Sequence, residues 1–350
     1  MRRPLSALVA LALCTPLSAC GFLGIGGDAD IQIYSARHYD LEKAFEQWEE
    51  KTGKSVEFIF AEDAELLQRL KTEGADSPAD IFMTVDAGNL WAAAEEGILE
   101  SVDSPMLDEA VPEAYRDSEN RWFGLALRAR TVVYNPDAVD PSEFDAANTY
   151  AGLADPKWKG KLCTRSGQHV YNTSLLATVI AHKGEAAAEA WIKGVKDNMA
   201  RKPAGGDREQ ARDVQAGLCD LAIGNTYYMA AMLKDPAQKA WADSVKMLFP
   251  DAATARGTHV NISGMALAKN APNKAAALKL MAFLASDEAQ KLYAEANNEY
   301  PISPNVPASA LVMSWGKLVP DKLPIENIAK YRKQASELMD KVKFDAGPGT

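Results

Sequence analysis

The chain has 350 residues, of which 47% are hydrophobic and 25% are charged, and it carries a formal charge of -10 at pH 7. This acidic balance argues against nucleic-acid binding, because such binding depends on a basic surface. The length is sufficient for two domains, and no solenoid-type repeat or low-complexity tract is present.

Residues 1–19 have the features of a secretory signal peptide. Two arginines precede a mostly apolar segment that is too short to span a bilayer stably. Residues 17–21 (LSACG) resemble a bacterial lipobox, in which Cys20 becomes the lipidated first residue, and ordinary cleavage a little further on is the alternative. Residues 20–29 then form a flexible leader. We expect a periplasmic or cell-envelope protein that is attached to the membrane only by this lipid.

Strand-like and helix-like segments alternate through the first third of the chain. Three strands are predicted at residues 31–35, 55–60 and 80–85. Each is followed by a segment with apolar residues at helical spacing, which predicts an α/β domain with a mainly parallel sheet. Loops at the carboxyl ends of such strands collect ligand groups. His38 and Tyr39 lie on the loop that follows the first strand.

A long β-like run at residues 123–134 separates this unit from a second one. A run of this length can leave one lobe and enter another, and we place the crossover near residues 128–131. Further strands are predicted at residues 161–164, 219–223, 244–249 and 258–268, with helices from residue 174, near 185–195, and at 208–216, 274–284, 287–296 and 325–342. The predicted lobes are residues 30–128 plus 257–300 and residues 129–256 plus 301–350.

Four cysteines are present, of which Cys14 lies in the signal peptide and Cys20 in the lipobox. Cys163 and Cys219 remain, and an even pair in an oxidising compartment predicts one disulfide. Metal ligation is the alternative, but two distant cysteines without a CxxC partner are a weak indication of a zinc site. The disulfide would join the predicted strand 161–164 to the strand that leads to Tyr227.

Signatures of the common enzyme classes are missing: the sequence has no GxSxG, no Walker loop, no HExxH and no strand-linked GxGxxG. Four histidines offer little acid–base chemistry. An exported two-lobed protein of this kind is expected to be a binding protein that closes by a hinge, and not an enzyme.

Four tyrosines fall on predicted loops and helix starts: Tyr39, Tyr171, Tyr227 and Tyr228. The adjacent pair follows a short strand and opens a helix, a place where α/β folds bind ligands. Aromatic packing is the alternative for each tyrosine taken alone. A strongly charged cation can displace the phenol proton, and ferric iron suits phenolate best, because calcium and magnesium prefer carboxylates and carbonyls. Arg130 and Arg165 could offset the negative charge of such a cluster.

Seven stretches between about residue 30 and residue 306 are similar to the periplasmic ferric-iron-binding proteins of ABC importers, which have a transferrin-like fold: YSARHYD, ADIFMTVDAGNLW, LRARTVVYN, CTRSGQHVYNTSL, CDLAIGNTYY, RGTHVNISG and NEYPISPN. The double tyrosine and the VYN-x-SL stretch are the most specific. This resemblance implies the α/β, two-lobed periplasmic-binding-protein fold (type II-like), with a mainly parallel sheet in each lobe and a hinged cleft.

The resemblance also implies a ligand set for Fe³⁺. Tyr39 from the first lobe would bind the iron together with the three tyrosines of the second lobe. His38 matches a position that supplies an imidazole in part of the family. Arg130 matches a basic residue that holds a synergistic anion, such as carbonate or citrate, or balances charge. The sequence departs from the family at residues 167–169 (GQH), where serine and asparagine are expected, and His169 is predicted to be a neighbour of the site.

The sequence therefore predicts a monomeric solute-binding protein that captures ferric iron in the interlobe cleft and delivers it to an inner-membrane ABC permease. The alternatives are a protein of the same fold for another solute (an iron chelate, a polyamine or an oxyanion), an exported hydrolase, and a purely structural lipoprotein. Residues 307–350 are predicted to pack on the second lobe.

Overall fold

The computed structural model describes residues 29–37, 42–254 and 256–350. The predicted signal peptide, Cys20, and the loop residues His38 and Tyr39 lie outside the described residues. Among the described helices, none combines the length and the hydropathy needed to cross a bilayer.

The described residues contain nine strands, most of them separated by helices, as the hydrophobic periodicity predicts. The strands are β1 (Ile31–Ser35), β2 (Val56–Phe60), β3 (Ile81–Thr84), β4 (Phe123–Tyr134), β5 (Leu162–Cys163), β6 (Leu221–Asn225), β7 (Lys246–Leu248), β8 (Val260–Leu267) and β9 (Tyr300–Pro301). Each predicted strand is present, although β5 and β7 are shorter than predicted.

The helices also follow the predicted order. They are α1 (Glu42–Thr52), α2 (Asp63–Glu73), α3 (Ala87–Glu95), α4 (Pro105–Ala110), α5 (Thr149–Gly152), α6 (Val170–Lys183), α7 (Glu185–Asp197), α8 (Asp207–Gln215), α9 (Thr226–Lys234), α10 (Lys239–Asp243), α11 (Lys274–Ala285), α12 (Asp287–Asn297), α13 (Ala310–Ser314), α14 (Ile325–Ala329) and α15 (Arg332–Lys341). The single helix predicted at residues 325–342 is two helices, because residues 330 and 331 interrupt it.

The strands form one continuous sheet in the order β2-β1-β3-β8-β4-β6-β5, and β7 and β9 also pair with β4. The α/β fold is confirmed, but the expectation of a mainly parallel sheet is wrong for the middle strands. β1 pairs in parallel with β2 and β3, and β5 with β6, whereas β3–β8, β8–β4 and β4–β6 are antiparallel. The reason is that β8 comes from a distant part of the chain and inserts between β3 and β4, a non-local pairing that strand–helix alternation does not reveal.

Strand β4 changes its pairing partner midway. Up to Ala129 it pairs with β8, opposite Val260, and from Arg130 onwards it pairs with β6, opposite Asn225. One large cluster of buried apolar side chains surrounds β1, β3, α3 and the first half of β4. A second surrounds β5, β6, α6 and α7. We refer to these clusters as the first core and the second core.

Cys163 and Cys219 form a disulfide, as predicted, with a Cα–Cα distance of 5.8 Å. The zinc alternative is excluded for these residues, because each sulfur is bonded to the other. Both cysteines are at most 2% exposed. The bond joins the end of β5 to the turn that precedes β6, so it supports the strand that leads to the two adjacent tyrosines.

The C-terminal segment contacts both cores. Helix α15 buries Ala335, Leu338 and Met339 in the second core. Helix α14 packs against α3 and buries Ile325 in the first core, a contact that the sequence did not predict.

Candidate functional site

A cleft of about 580 Å³ lies between elements of the two cores. Ala36, which follows β1, and Val85, which follows β3, contribute to one wall. The starts of α6 and α9 contribute to the other. Three of the four tyrosines predicted as ligands line this cleft: Tyr171, Tyr227 and Tyr228. Because strand ends and helix starts meet here, polar backbone and side-chain groups are directed into one space.

Tyr227 and Tyr228 lie in the first turn of α9. Strand β6 ends at Asn225, whose extended backbone (φ -83°, ψ 144°) leads directly into the helix. The two ring centroids are 4.2 Å apart with an interplanar angle of 33°. The Tyr227 side chain is largely buried, at 8% exposure. This abrupt change from strand to helix explains how two consecutive side chains reach the same cleft.

Tyr171 is the second residue of α6, which begins at Val170 and not at the predicted residue 174. The imidazole Nδ1 of His169 accepts a hydrogen bond from the Tyr171 backbone N–H at 3.3 Å and thereby caps the helix. The early start places the Tyr171 ring over the cleft. Its hydroxyl oxygen lies 2.9 Å from that of Tyr227, close enough for one oxygen to donate to the other. Two tyrosines that are 56 positions apart in the sequence are therefore in direct contact.

Three guanidinium groups surround the Tyr171 ring. The guanidinium carbon atoms of Arg128, Arg130 and Arg165 lie 6.0, 5.8 and 5.2 Å from the ring centroid. Arg128 and Arg130 are nearly fully buried. Positive charge in a low-dielectric environment favours anionic oxygen nearby, so the surroundings are suited to phenolates.

Asp207, at the start of α8, is a site residue that the sequence reasoning missed. Its carboxylate accepts hydrogen bonds from Arg130 Nη1 at 2.5 Å, from Arg165 Nη1 at 3.3 Å and from the Asn225 N–H at 2.8 Å. The residue is 4% exposed. It therefore orients both predicted arginines and the residue before α9. Its only sequence signal is an acidic residue in the first turn of a helix, which is common.

The two predicted arginines differ in how fully they are engaged. Arg130 also donates to the Asn172 side chain at 2.7 Å and to the Asn225 side chain at 3.1 Å, so both of its terminal nitrogens have protein partners. Burial by itself would lower the pKa of Arg165, but the neighbouring Asp207, Tyr228 and Tyr171 raise it. Arg165 therefore stays charged beside the tyrosines.

His169 is a neutral neighbour of the tyrosines. Burial, reinforced by the positive charge of Arg165, lowers its pKa to about 3. Because its Nδ1 accepts a hydrogen bond at the helix start, the ring proton lies on Nε2. The imidazole takes the capping role that a serine or asparagine has at many helix starts, which accounts for the departure at residues 167–169.

The first-core wall carries a carboxylate that the sequence reasoning also missed. Asp63, at the start of α2, lines the cleft, and burial raises its pKa. The hydroxyl of Thr84 donates to its carboxylate. Arg37 and Glu299, each adjacent in sequence to a residue that lines the cleft, form a buried ion pair at 2.7 Å.

The structure thus brings together Tyr171, Tyr227 and Tyr228, with Arg130 and Arg165 directly behind them. The predicted ligands Tyr39 and His38 lie in the part of the chain that the structure does not describe, so their place at the site stays a prediction.

Comparisons with known proteins identify the family of this chain and solved structures of similar fold. The family described as "Bacterial extracellular solute-binding protein" matches residues 35–291. Iron uptake protein A2 of Synechocystis is 42% identical over 89% of this chain and 89% of its own length. The structure of the Trichodesmium protein IdiA (FutA) in complex with iron and citrate is similar with a TM-score of 0.85 and 44% identity, over 90% of this chain and 99% of that one. The structure of the Bordetella ferric binding protein is similar with a TM-score of 0.82 and 46% identity, over 90% of this chain and 99% of that one.

Proposed function

This chain belongs to the family of bacterial extracellular solute-binding proteins, and we propose that it captures ferric iron in the cleft through tyrosine phenolates and delivers it to the permease of an ABC importer. The observation that carries the proposal is the group of three tyrosines at two helix starts, with the Tyr171 and Tyr227 oxygens 2.9 Å apart. Relatives named for iron uptake and ferric iron binding support the same ligand.

The chemistry follows from the phenol groups. Fe³⁺ is a hard cation, and phenolate is a hard anionic oxygen ligand, so iron binding displaces the phenol protons. Tyr171, Tyr227 and Tyr228 would supply three such oxygens. Tyr39 completes the proposed set, three positions after the cleft residue Ala36, and His38 is a further candidate ligand. Several phenolates around one Fe³⁺ carry a net negative charge, which the buried guanidinium groups offset.

The two arginines have different proposed roles. Both terminal nitrogens of Arg130 donate hydrogen bonds to protein groups. We therefore assign Arg130 to charge balance and not to holding an anion. Any synergistic anion, such as carbonate or citrate, would bind on the side of Arg165. The Trichodesmium relative contains citrate together with iron.

Iron capture would be coupled to closure of two lobes. We propose that residues 30–128 plus 257–300 form one lobe and residues 129–256 plus 301–350 the other, with the hinge where β4 changes its partner after Ala129. The closed monomer, held at the membrane by lipidated Cys20, would dock on the permease, which opens the cleft and releases the metal. Catalysis is not part of this function.

The test is a titration of the purified mature domain with ferric citrate, followed by visible absorption. A saturable phenolate-to-iron charge-transfer band at one equivalent is expected. The variant Tyr228→Phe should weaken iron binding and change the band, whereas the control Tyr331→Phe, at a residue that does not line the cleft, should do neither. Unchanged iron affinity in Tyr228→Phe would refute the ligand assignment. Absence of both a band and iron-dependent thermal stabilisation would favour an iron chelate, a polyamine or an oxyanion as the solute.

A further inference from the structure

We propose that Asp345, close to the C-terminus, is a positioning residue for the iron site, which it serves by holding the loop between β5 and α6. This loop comprises residues 164–169 and is called the site loop below. The inference rests on the proposed function, since it concerns how the same cleft is kept in shape for its ligand.

The site loop connects the disulfide to the first tyrosine. It begins directly after Cys163 and ends at His169, which caps α6 and adjoins Tyr171. Its Arg165 places a guanidinium 5.2 Å from the Tyr171 ring. A displacement of the loop therefore moves the cap, the nearest positive charge and the tyrosine together.

Asp345 holds the site loop at Ser166 and Gly167, two residues that do not line the cleft. Its carboxylate accepts a hydrogen bond from the Ser166 hydroxyl at 2.5 Å and one from the Gly167 N–H at 2.6 Å. A carboxylate that bridges two consecutive residues fixes the direction of the loop as well as its distance. Gly167 is also packed tightly, because a Cβ atom there would lie 2.6 Å from a ring carbon of Phe344.

The segment that carries Asp345 is itself fixed to the second core. Lys196, which is 4% exposed, donates from Nζ to the carbonyl of Val342 at 2.9 Å and to the carbonyl of Thr350 at 2.7 Å. Phe344 is buried in the second core. Asp345 thus lies between two anchored positions, so it is a rigid support for the loop and does not simply follow it.

A second set of contacts holds the backbone carbonyls of the same loop. The Asn172 side-chain amide, in the first turn of α6, donates to the carbonyls of Arg165 and Ser166, each at 3.0 Å. The Asn172 oxygen accepts from Arg130 at 2.7 Å. The loop is therefore held between the arginine network of the cleft and the C-terminal segment. After loss of the Asp345 carboxylate, Ser166 keeps the Asn172 contact, and Gln168 remains bonded to Ser336 and Asp340.

The experiment compares Asp345→Ala and Asp345→Asn with wild type. Three quantities are measured: the iron dissociation rate, the wavelength of the charge-transfer band, and amide hydrogen exchange of residues 164–172 in the metal-free protein. We expect iron to dissociate about tenfold faster from Asp345→Ala, because part of the stabilisation lost with the two charge-assisted hydrogen bonds is lost from the iron-bound site. The band should shift and the loop amides should exchange faster. Asp345→Asn keeps one acceptor oxygen, so its values in all three measurements should lie between those of wild type and Asp345→Ala.

The matched control is Glu337→Ala, which removes a carboxylate of the same segment whose side chain is 66% exposed and lies 3.9 Å from Lys333. It should match wild type in all three measurements. A melting temperature that falls in Asp345→Ala while the dissociation rate and the band stay as in wild type would reduce Asp345 to a structural residue and overturn the inference, with the proposed function intact. A wild-type protein that binds no iron overturns the proposed function first, and this inference with it.

Discussion

The buried histidine at the change of strand partner predicts a specific dependence of stability on pH. His259 lies directly before β8 and is 2% exposed. Burial, with the nearby charges of Arg130 and His182, lowers its pKa to about 3. Its Nδ1 lies 2.7 Å from the hydroxyl of Thr178. The neutral imidazole is therefore part of the folded structure.

The direction of the pH dependence follows from the number of protons that the folded and the unfolded states bind. In the unfolded chain a histidine titrates near ~6.5, so between about pH 6.5 and 3 the unfolded state binds a proton that the folded state does not. His259 thus contributes stability that is complete above about pH 6.5 and is lost as the pH falls. The slope is about 1.4 kcal/mol per pH unit, or about 3 kcal/mol between pH 6 and pH 4, against a typical total of about 5–15 kcal/mol.

The assay is urea denaturation of the metal-free mature protein at several pH values between 7 and 4. The variant His259→Asn keeps a polar group near the Nδ1 position but cannot take up the proton. The slope of its unfolding free energy against pH should therefore be lower than that of wild type by about 1.4 kcal/mol per pH unit over this interval. Thr178→Val is the control: it removes the hydroxyl but keeps the histidine, so it should lower stability at every pH and leave the slope unchanged. Equal slopes for wild type and His259→Asn would refute the reasoning.

Two further predictions concern the support of the cleft. Replacing both Cys163 and Cys219 with serine should lower the unfolding free energy by ~4 kcal/mol, the chain-entropy estimate for a crosslink across 56 positions, which denaturation with and without reductant would measure. Asp207→Asn removes the charge that the buried Arg130 and the partly buried Arg165 share and should cost roughly 3–5 kcal/mol. It should also alter the charge-transfer band, whereas a normal stability and an unchanged band would show that Asp207 does not organise the site.

Much of the site could be predicted from the sequence because its signals are local. Tyr227 and Tyr228 follow an apolar strand-like run and open a helix, and both the strand and the helix start are present. The disulfide followed from cysteine count and compartment alone. Tyr171 was placed just before its helix and proves to lie in the first turn, because an imidazole serves as the cap.

The residues that were missed act across long distances in the chain. Asp207 bonds to Arg130, which is 77 positions away in the sequence, and Asp345 bonds to Gly167 of the site loop, which is 178 positions away. Neither has a local pattern that distinguishes it from the other acidic residues of an acidic protein. Such pairings become visible only once the fold has brought the elements together.

The sequence by itself determined the compartment signals, the order of strands and helices, and the residue types at the cleft, because hydrophobic periodicity, turn residues and helix starts act over a few residues. The tertiary structure alone decided that β8 inserts between β3 and β4, that Tyr171 touches Tyr227, and that one buried carboxylate, Asp207, orients the two arginines beside them. The physical reason is that burial and charge pairing depend on which distant segments meet. A buried ion forms only where the fold supplies its partner.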